Sequence, residues 1–186
     1  MRQPLAIRAH PLVFGVIVFL ASESMFFAAL FAAYFDLRST TAVWPPAGTQ
    51  LDLGPATVGT LLLGLSSLTM IGFQFAVARS RLALGRSLLI ATIAFGVVFL
   101  AITIGGWRSA DFRLDSSAYG SLFYTMTGFH ALHVTAGLIA IAYLTIFTSA
   151  PAFTRERRAG SEAIAYYWHF VFIVWLGLWA TIYLVR

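Results

Sequence analysis

TGFHALHVTAGL, residues 127–138, lies inside an apolar run from about 119 to 148 and carries His130 and His133 with only Ala131 and Leu132 between them. A run of that length exceeds the roughly 20 residues that a helix needs to cross bilayer hydrocarbon. Two imidazoles placed there must be satisfied by the protein, because the membrane interior offers no water. They could hold a metal or haem, relay protons, or tie helices together. The residue types alone leave all three open.

The rest of the chain repeats the pattern. Of its 186 residues 60% are hydrophobic and only 10% charged, against about 25% charged in soluble domains. Five stretches are long and apolar enough to span: roughly 11–35, 56–78, 87–107, 119–148 and 164–185. The expected fold is therefore all-α, a polytopic bundle of five transmembrane helices forming one membrane domain over residues 1–186. The first stretch follows a short basic leader, but its apolar run is longer than the about 7–15 residues of a signal-peptide core, and it reads as a retained helix. No repeat of inverted-transporter length is visible.

All twelve basic residues are arginine, giving a formal charge of +5. In a chain this apolar such an excess points to membrane orientation and anionic headgroups, with no nucleic-acid partner. Eight arginines (2, 8, 79, 81, 86, 155, 157 and 158) fall on one side of the expected spans and four (38, 108, 113 and 186) on the other. That asymmetry predicts a cytoplasmic N-terminus and an outside C-terminus. With no cysteine, disulfides and thiolate metal sites are excluded, leaving His, Met or carboxylate as possible ligands.

The connectors are short. In WPPAG, residues 44–48, the two prolines forbid helix, so the loop should be ordered with Trp44 at the interface. Small residues, Gly64 and Ser67 on the second span and Gly128, Ala131 and Thr135 on the fourth, should let backbones approach.

Glu23 falls about 18 Å into the first span at 1.5 Å per residue, close to mid-bilayer. A carboxylate there must be neutral, hydrogen-bonded, or both. His130, His133 and His169 fall at comparable depths on two later spans, so Glu23, His130, His133 and His169 are expected to form a polar cluster across three helices, bonding to one another, to hydroxyls or to backbone. The alternative is a haem-carrying electron carrier with His133 and His169 as axial ligands. A proton-coupled transporter built around Glu23 is a third possibility. His10 reads as interfacial. Tyr166, Tyr167 and Trp168 read as an aromatic belt at headgroup depth, and Arg155, Arg157 and Arg158, next to Trp168, as a rim for lipid headgroups.

SESMFFAALFAAYF (22–35), WPPAG (44–48), AYGSLFYTMTGFHALHVTAGL (118–138) and YYWHFVFIVWLGLWATIYLVR (166–186), taken in order, resemble subunit III of the haem–copper terminal oxidases, in a five-helix form without the first two helices of larger members. The resemblance implies a non-catalytic subunit of a respiratory oxidase in a bacterial plasma membrane. No redox centre would lie in this chain, haem and copper belonging to partner subunits. It also implies packing on subunit I and near subunit II, a bound phospholipid, support of proton uptake and turnover stability, and membership of a larger respiratory supercomplex. An accessory subunit of a quinol oxidase or nitric oxide reductase is the related alternative. Glu23 matches the family's intramembrane carboxylate, His130 and His133 its paired histidines, and His169 the histidine of its last helix, while Arg158 and Glu162 fall where the family places a polar, lipid-facing rim. Three departures stand out: Phe172 replaces an acid, and Thr103 and Gly106 replace a Gln and a Glu.

Overall fold

The computed structural model describes residues 11–147 and 155–185, apart from the side chains of 155–158. Five long helices account for nearly all of them: α1 (Pro11–Thr40), α2 (Leu53–Ala78), α3 (Leu82–Ser109), α4 (Ala118–Phe147) and α5 (Arg155–Trp179), which runs on into a π-helical turn at Ala180–Leu184. Each is long and apolar enough to cross a membrane, and no strand occurs among the described residues. The helices overrun the expected spans mainly at their polar ends. α5 extends furthest, because RERRAGSE contains good helix formers that a hydropathy reading discards.

Local chemistry sets the boundaries. Pro11 stands in the first turn of α1, where its missing N–H has no intrahelical partner to lose. Asp52 caps α2, its carboxylate accepting from Gly54 N at 2.9 Å. α2 and α3 are joined by a tight turn in which Ser80 adopts a φ of 58°. The 41–52 loop is ordered, as expected, because Trp44 wedges between Tyr34 and Tyr119, with ring centroids 5.3 and 5.2 Å away.

The helices α2, α3, α4 and α5 form a ring, and α1 lies outside it against α4 and α5. Side chains of α5 fill the axis. Trp168 is 1% exposed and donates its indole N–H to Ser66 Oγ at 3.0 Å. Its six-membered ring occupies the space left by two glycines: a Cβ on Gly137 would lie 2.8 Å from it, and one on Gly96 3.0 Å. Seven residues on, Trp175 donates to Thr60 Oγ1 at 2.9 Å, meets Phe99 edge-on and stacks on His130. Each indole thus touches α2, α3 and α4 at once.

This corrects the sequence reading of Trp168, which sits at the centre of the protein and not among lipid headgroups. The close approach expected at Gly128 is also absent, since a Cβ there would meet nothing within 4 Å; Gly96 and Gly137 serve that purpose instead.

The end of the bundle carrying the 41–52 loop is fastened separately. Tyr34 donates to Thr181 O at 3.3 Å within the π turn, and Arg38 donates to Val185 O at 2.7 Å. Trp107 donates to Thr127 Oγ1 at 3.1 Å, linking α3 to α4.

Gly137→Ala must push the Trp168 ring off the axis and should lower stability by about 1–3 kcal/mol, whereas Gly128→Ala, which meets no neighbour in mid-helix, should leave it unchanged or raise it by up to about 1 kcal/mol. Thermal unfolding of the two variants in the same detergent checks the contrast.

Candidate functional site

Glu23 projects from α1 towards α4, where its Oε2 meets His133 Nε2 at 2.9 Å. The other ring nitrogen, Nδ1, lies 2.7 Å from Phe129 O. A carbonyl can only accept, so Nδ1 carries a hydrogen, and Nε2 is then either the acceptor of a carboxylic proton or, in the imidazolium, a donor to a carboxylate. In both forms Glu23 and His133 hold one mobile proton and the pair has no net charge. Neutrality is what lets an acid and a base persist in a low-dielectric layer, where a lone ion is costly.

Aromatic rings frame the pair. Phe27 meets the imidazole edge-on at 5.1 Å, and Tyr167 stacks against it at 6.5 Å. Tyr167 also donates to His133 O at 2.9 Å, so the residue read as part of an interfacial belt binds α5 to α4 beside the acid. The hydroxyls of Ser22 and Ser24 turn back to carbonyls of α1 and do not join. The side chains of His133 and Glu23 remain 15% and 22% exposed, so the pair lies at the surface of the bundle, open towards α1's uncovered side.

The other two histidines do not reach Glu23. Three residues along a helix is a rotation of about 300°, so His130 points about 60° away from His133, into the ring instead of towards α1. There it is 1% exposed, lies between Phe99 and Trp175, and forms no hydrogen bond at either nitrogen. His169 faces α2, its Nδ1 2.5 Å from Ser67 Oγ. The expected cluster of four is therefore one ion-pairing couple and two separate imidazoles.

Axial haem ligation by His133 and His169 does not fit this arrangement. Both His133 nitrogens are engaged, and His169 is turned to a different helix. Among the described residues no three His, Asp or Glu side chains come together as a metal set.

Of the expected lipid rim, the side chains of Arg155, Arg157 and Arg158 lie outside the described residues, as does His10. Glu162 is exposed and lines a groove of about 410 Å³ between α2 and α5 with Gln74, Ser161 and Tyr166. Gln74 escaped the sequence reading, though an amide inside an apolar span was the signal for it. Phe172 packs on α2, where a Cβ on Gly64 would lie 3.3 Å from its ring. Thr103 and Gly106 line a larger cavity of about 660 Å³ at the 41–52 loop end.

A family model for cytochrome c oxidase subunit III matches residues 5–185. The chain belongs to the cytochrome c oxidase subunit III family. It is 43% identical over 176 residues to a probable cytochrome c oxidase subunit 3 of Mycobacterium tuberculosis, covering 92% of this chain and 87% of that protein. A counterpart in Nocardia farcinica is also 43% identical, with the same coverage, and the cytochrome c oxidase subunit 3 of Synechocystis is 37% identical over 93% of this chain and 75% of its own length. With five apolar helices and this membership, the chain is a multi-pass plasma-membrane protein. The resemblance noted in the sequence is thereby shown for nearly its whole length.

Coupling between Glu23 and His133 can be measured in this subunit III chain. Glu23→Leu and His133→Leu should each destabilise it, and the double variant should be more stable than the sum of the two losses by about 0.5–3 kcal/mol. Chemical or thermal unfolding of the four proteins of the cycle checks this.

Proposed function

We propose that this chain is the non-catalytic subunit III of a respiratory cytochrome c oxidase. In this reading it packs on subunit I, near subunit II, with its N-terminus in the cytoplasm, while haem and copper reside in those partners. Family membership supports the assignment, and the arginine asymmetry supports the orientation. The names of the relatives favour a cytochrome c oxidase over a quinol oxidase or nitric oxide reductase.

The observation that carries a more specific role is the Glu23–His133 pair. A couple that shares one proton at the bundle surface can accept or release it with little rearrangement, and so can buffer proton supply to a neighbouring subunit. Tyr167 holds the α4 backbone at His133 and keeps the two partners in register. Structural support of subunit I during turnover is part of the same reading. α1 buries only Val13, Phe27 and Tyr34 within this chain, leaving most of its surface for contacts beyond it. The α2–α5 groove, with Gln74 and Tyr166 as donors, is a candidate seat for a phospholipid head.

Purification of the native complex should return this chain together with polypeptides that bind haem and copper; recovery as an isolated subunit would overturn the assignment. In that complex Glu23→Ala should leave the initial rate of oxygen reduction within about twofold but shorten the number of turnovers before inactivation, since about 1–3 kcal/mol of interhelical bonding to charged partners is lost. Progress curves of oxygen consumption measure both, and an unchanged lifetime with unchanged assembly would remove Glu23 from the mechanism.

A further inference from the structure

Among the described residues four buried side-chain nitrogens meet no hydrogen-bonding group of the protein, and two of the four belong to one ring, that of His130. An imidazole carries an N–H in either protonation state. Burying it unpaired costs the full desolvation of the group, whereas a phenyl ring of similar shape would fill the same slot without that cost. His130 therefore needs a partner that is not one of its neighbouring side chains.

Its surroundings show where such a partner enters. Phe99, which meets the imidazole edge-on at 5.8 Å, and Trp175, which stacks on it at 5.1 Å, both form part of the wall of the cavity of about 660 Å³ at the 41–52 loop end. So does Thr127, one turn earlier on α4. At 1.5 Å per residue, His130 lies only about 4.5 Å deeper along that helix. The imidazole is thus one ring behind the inner end of the cavity.

The volume is far above the roughly 10–15 Å³ that one water needs, and the lining is not uniformly apolar, as that of a dry cavity would be. Gln50, Asp52 and Asp111 line it at the helix ends, and the hydroxyls of Thr103 and Thr127 line it deeper. Thr103 donates to Phe99 O; Thr127 donates to Phe123 O and accepts the indole N–H of Trp107. Each hydroxyl oxygen keeps a lone pair for a donor arriving from the cavity. The N–H of Trp175 is given to Thr60, so it cannot serve His130.

We propose that water fills this cavity in a file that runs from Gln50 and Asp52, past Thr103 and Thr127, to a terminal molecule hydrogen-bonded to His130. The last step needs the ring of Phe99 or Trp175 to tilt, and the cavity gives both rings space on their far side. The file connects a mid-membrane imidazole to the aqueous phase at the 41–52 loop end. Glu23 and His133 lie on another side of α4, and the inference stands whether or not that pair handles protons.

Hydroxyl-radical footprinting of the intact oxidase complex in lipid nanodiscs tests this. X-ray radiolysis makes the radicals from water in place, and mass spectrometry reads the oxygen they add to side chains beside it. Trp168 and Trp175 are an internal comparison, being 1% and 3% exposed on one helix, while only Trp175 lines the cavity. Trp175 should be oxidised several times faster than Trp168, and His130 should also gain oxygen. Gly106→Leu, whose Cβ meets nothing within 4 Å and whose side chain takes up cavity space, should slow oxidation of Trp175 at least twofold. His130→Phe keeps the ring and the cavity but removes the terminal partner, and should slow it at least twofold as well. Oxidation of Trp175 within twofold of Trp168, an unoxidised His130, or a Trp175 rate that either variant leaves within twofold would overturn the proposal.

Discussion

Two indoles seven residues apart on α5 decide how the other helices can be arranged. In hydrocarbon an apolar side chain gains little by leaving lipid for another side chain, so a bundle is held by close packing and by polar groups that find no other partner. Trp168 and Trp175 supply both. Each brings one N–H that must be satisfied, and each finds it in a hydroxyl of α2, Ser66 or Thr60. Each ring is also too wide for an ordinary four-helix axis unless something yields. Around Trp168, Gly96 and Gly137 yield; around Trp175, the neighbours are themselves flat rings, Phe99 and His130. The ring of α2 to α5 is the arrangement that meets these demands together.

Everything polar is then distributed by which way α5 and α4 are turned. With Trp168 and Trp175 inward, the residue after Trp168 falls on the α2 seam, which brings His169 to Ser67, and the residue before it falls on the α4 side, where Tyr167 reaches the carbonyl of His133. With His130 inward against Trp175, His133 is left facing out of the ring. That is where α1 crosses α4 and α5, and Glu23 is at that level. The acid–base pair is thus a consequence of the core, not an independent feature added to it.

The five spans could be read directly because bilayer thickness imposes a length that apolar composition reveals, and WPPAG announced an ordered loop because proline leaves few conformations. Helix facing could not be read in the same way. A membrane helix that is hydrophobic all round has no amphipathic stripe to orient it, so Trp168 beside Tyr166 and Tyr167 looked like an interfacial belt. The signals that would have corrected this were the seven-residue step from Trp168 to Trp175 and the isolated glycines at 96 and 137. Depth put Glu23 nearest His130 and set His133 level with His169; that Glu23 meets His133 instead, and that His130 turns inward, required knowing which side of α4 faces the ring. The family resemblance identified the residues but not their partners.

The three departures from the family pattern have a common physical effect. An acid on the last helix, and an amide and an acid at the end of the third, would each bring polar atoms that need partners between helices. Here Phe172 instead lays a ring on the bare backbone at Gly64, and Thr103 satisfies its hydroxyl within its own helix. Gly106 contributes no side chain at all, so the space beside it stays open as part of the cavity bounded by Asp52, Asp111 and the aromatic floor.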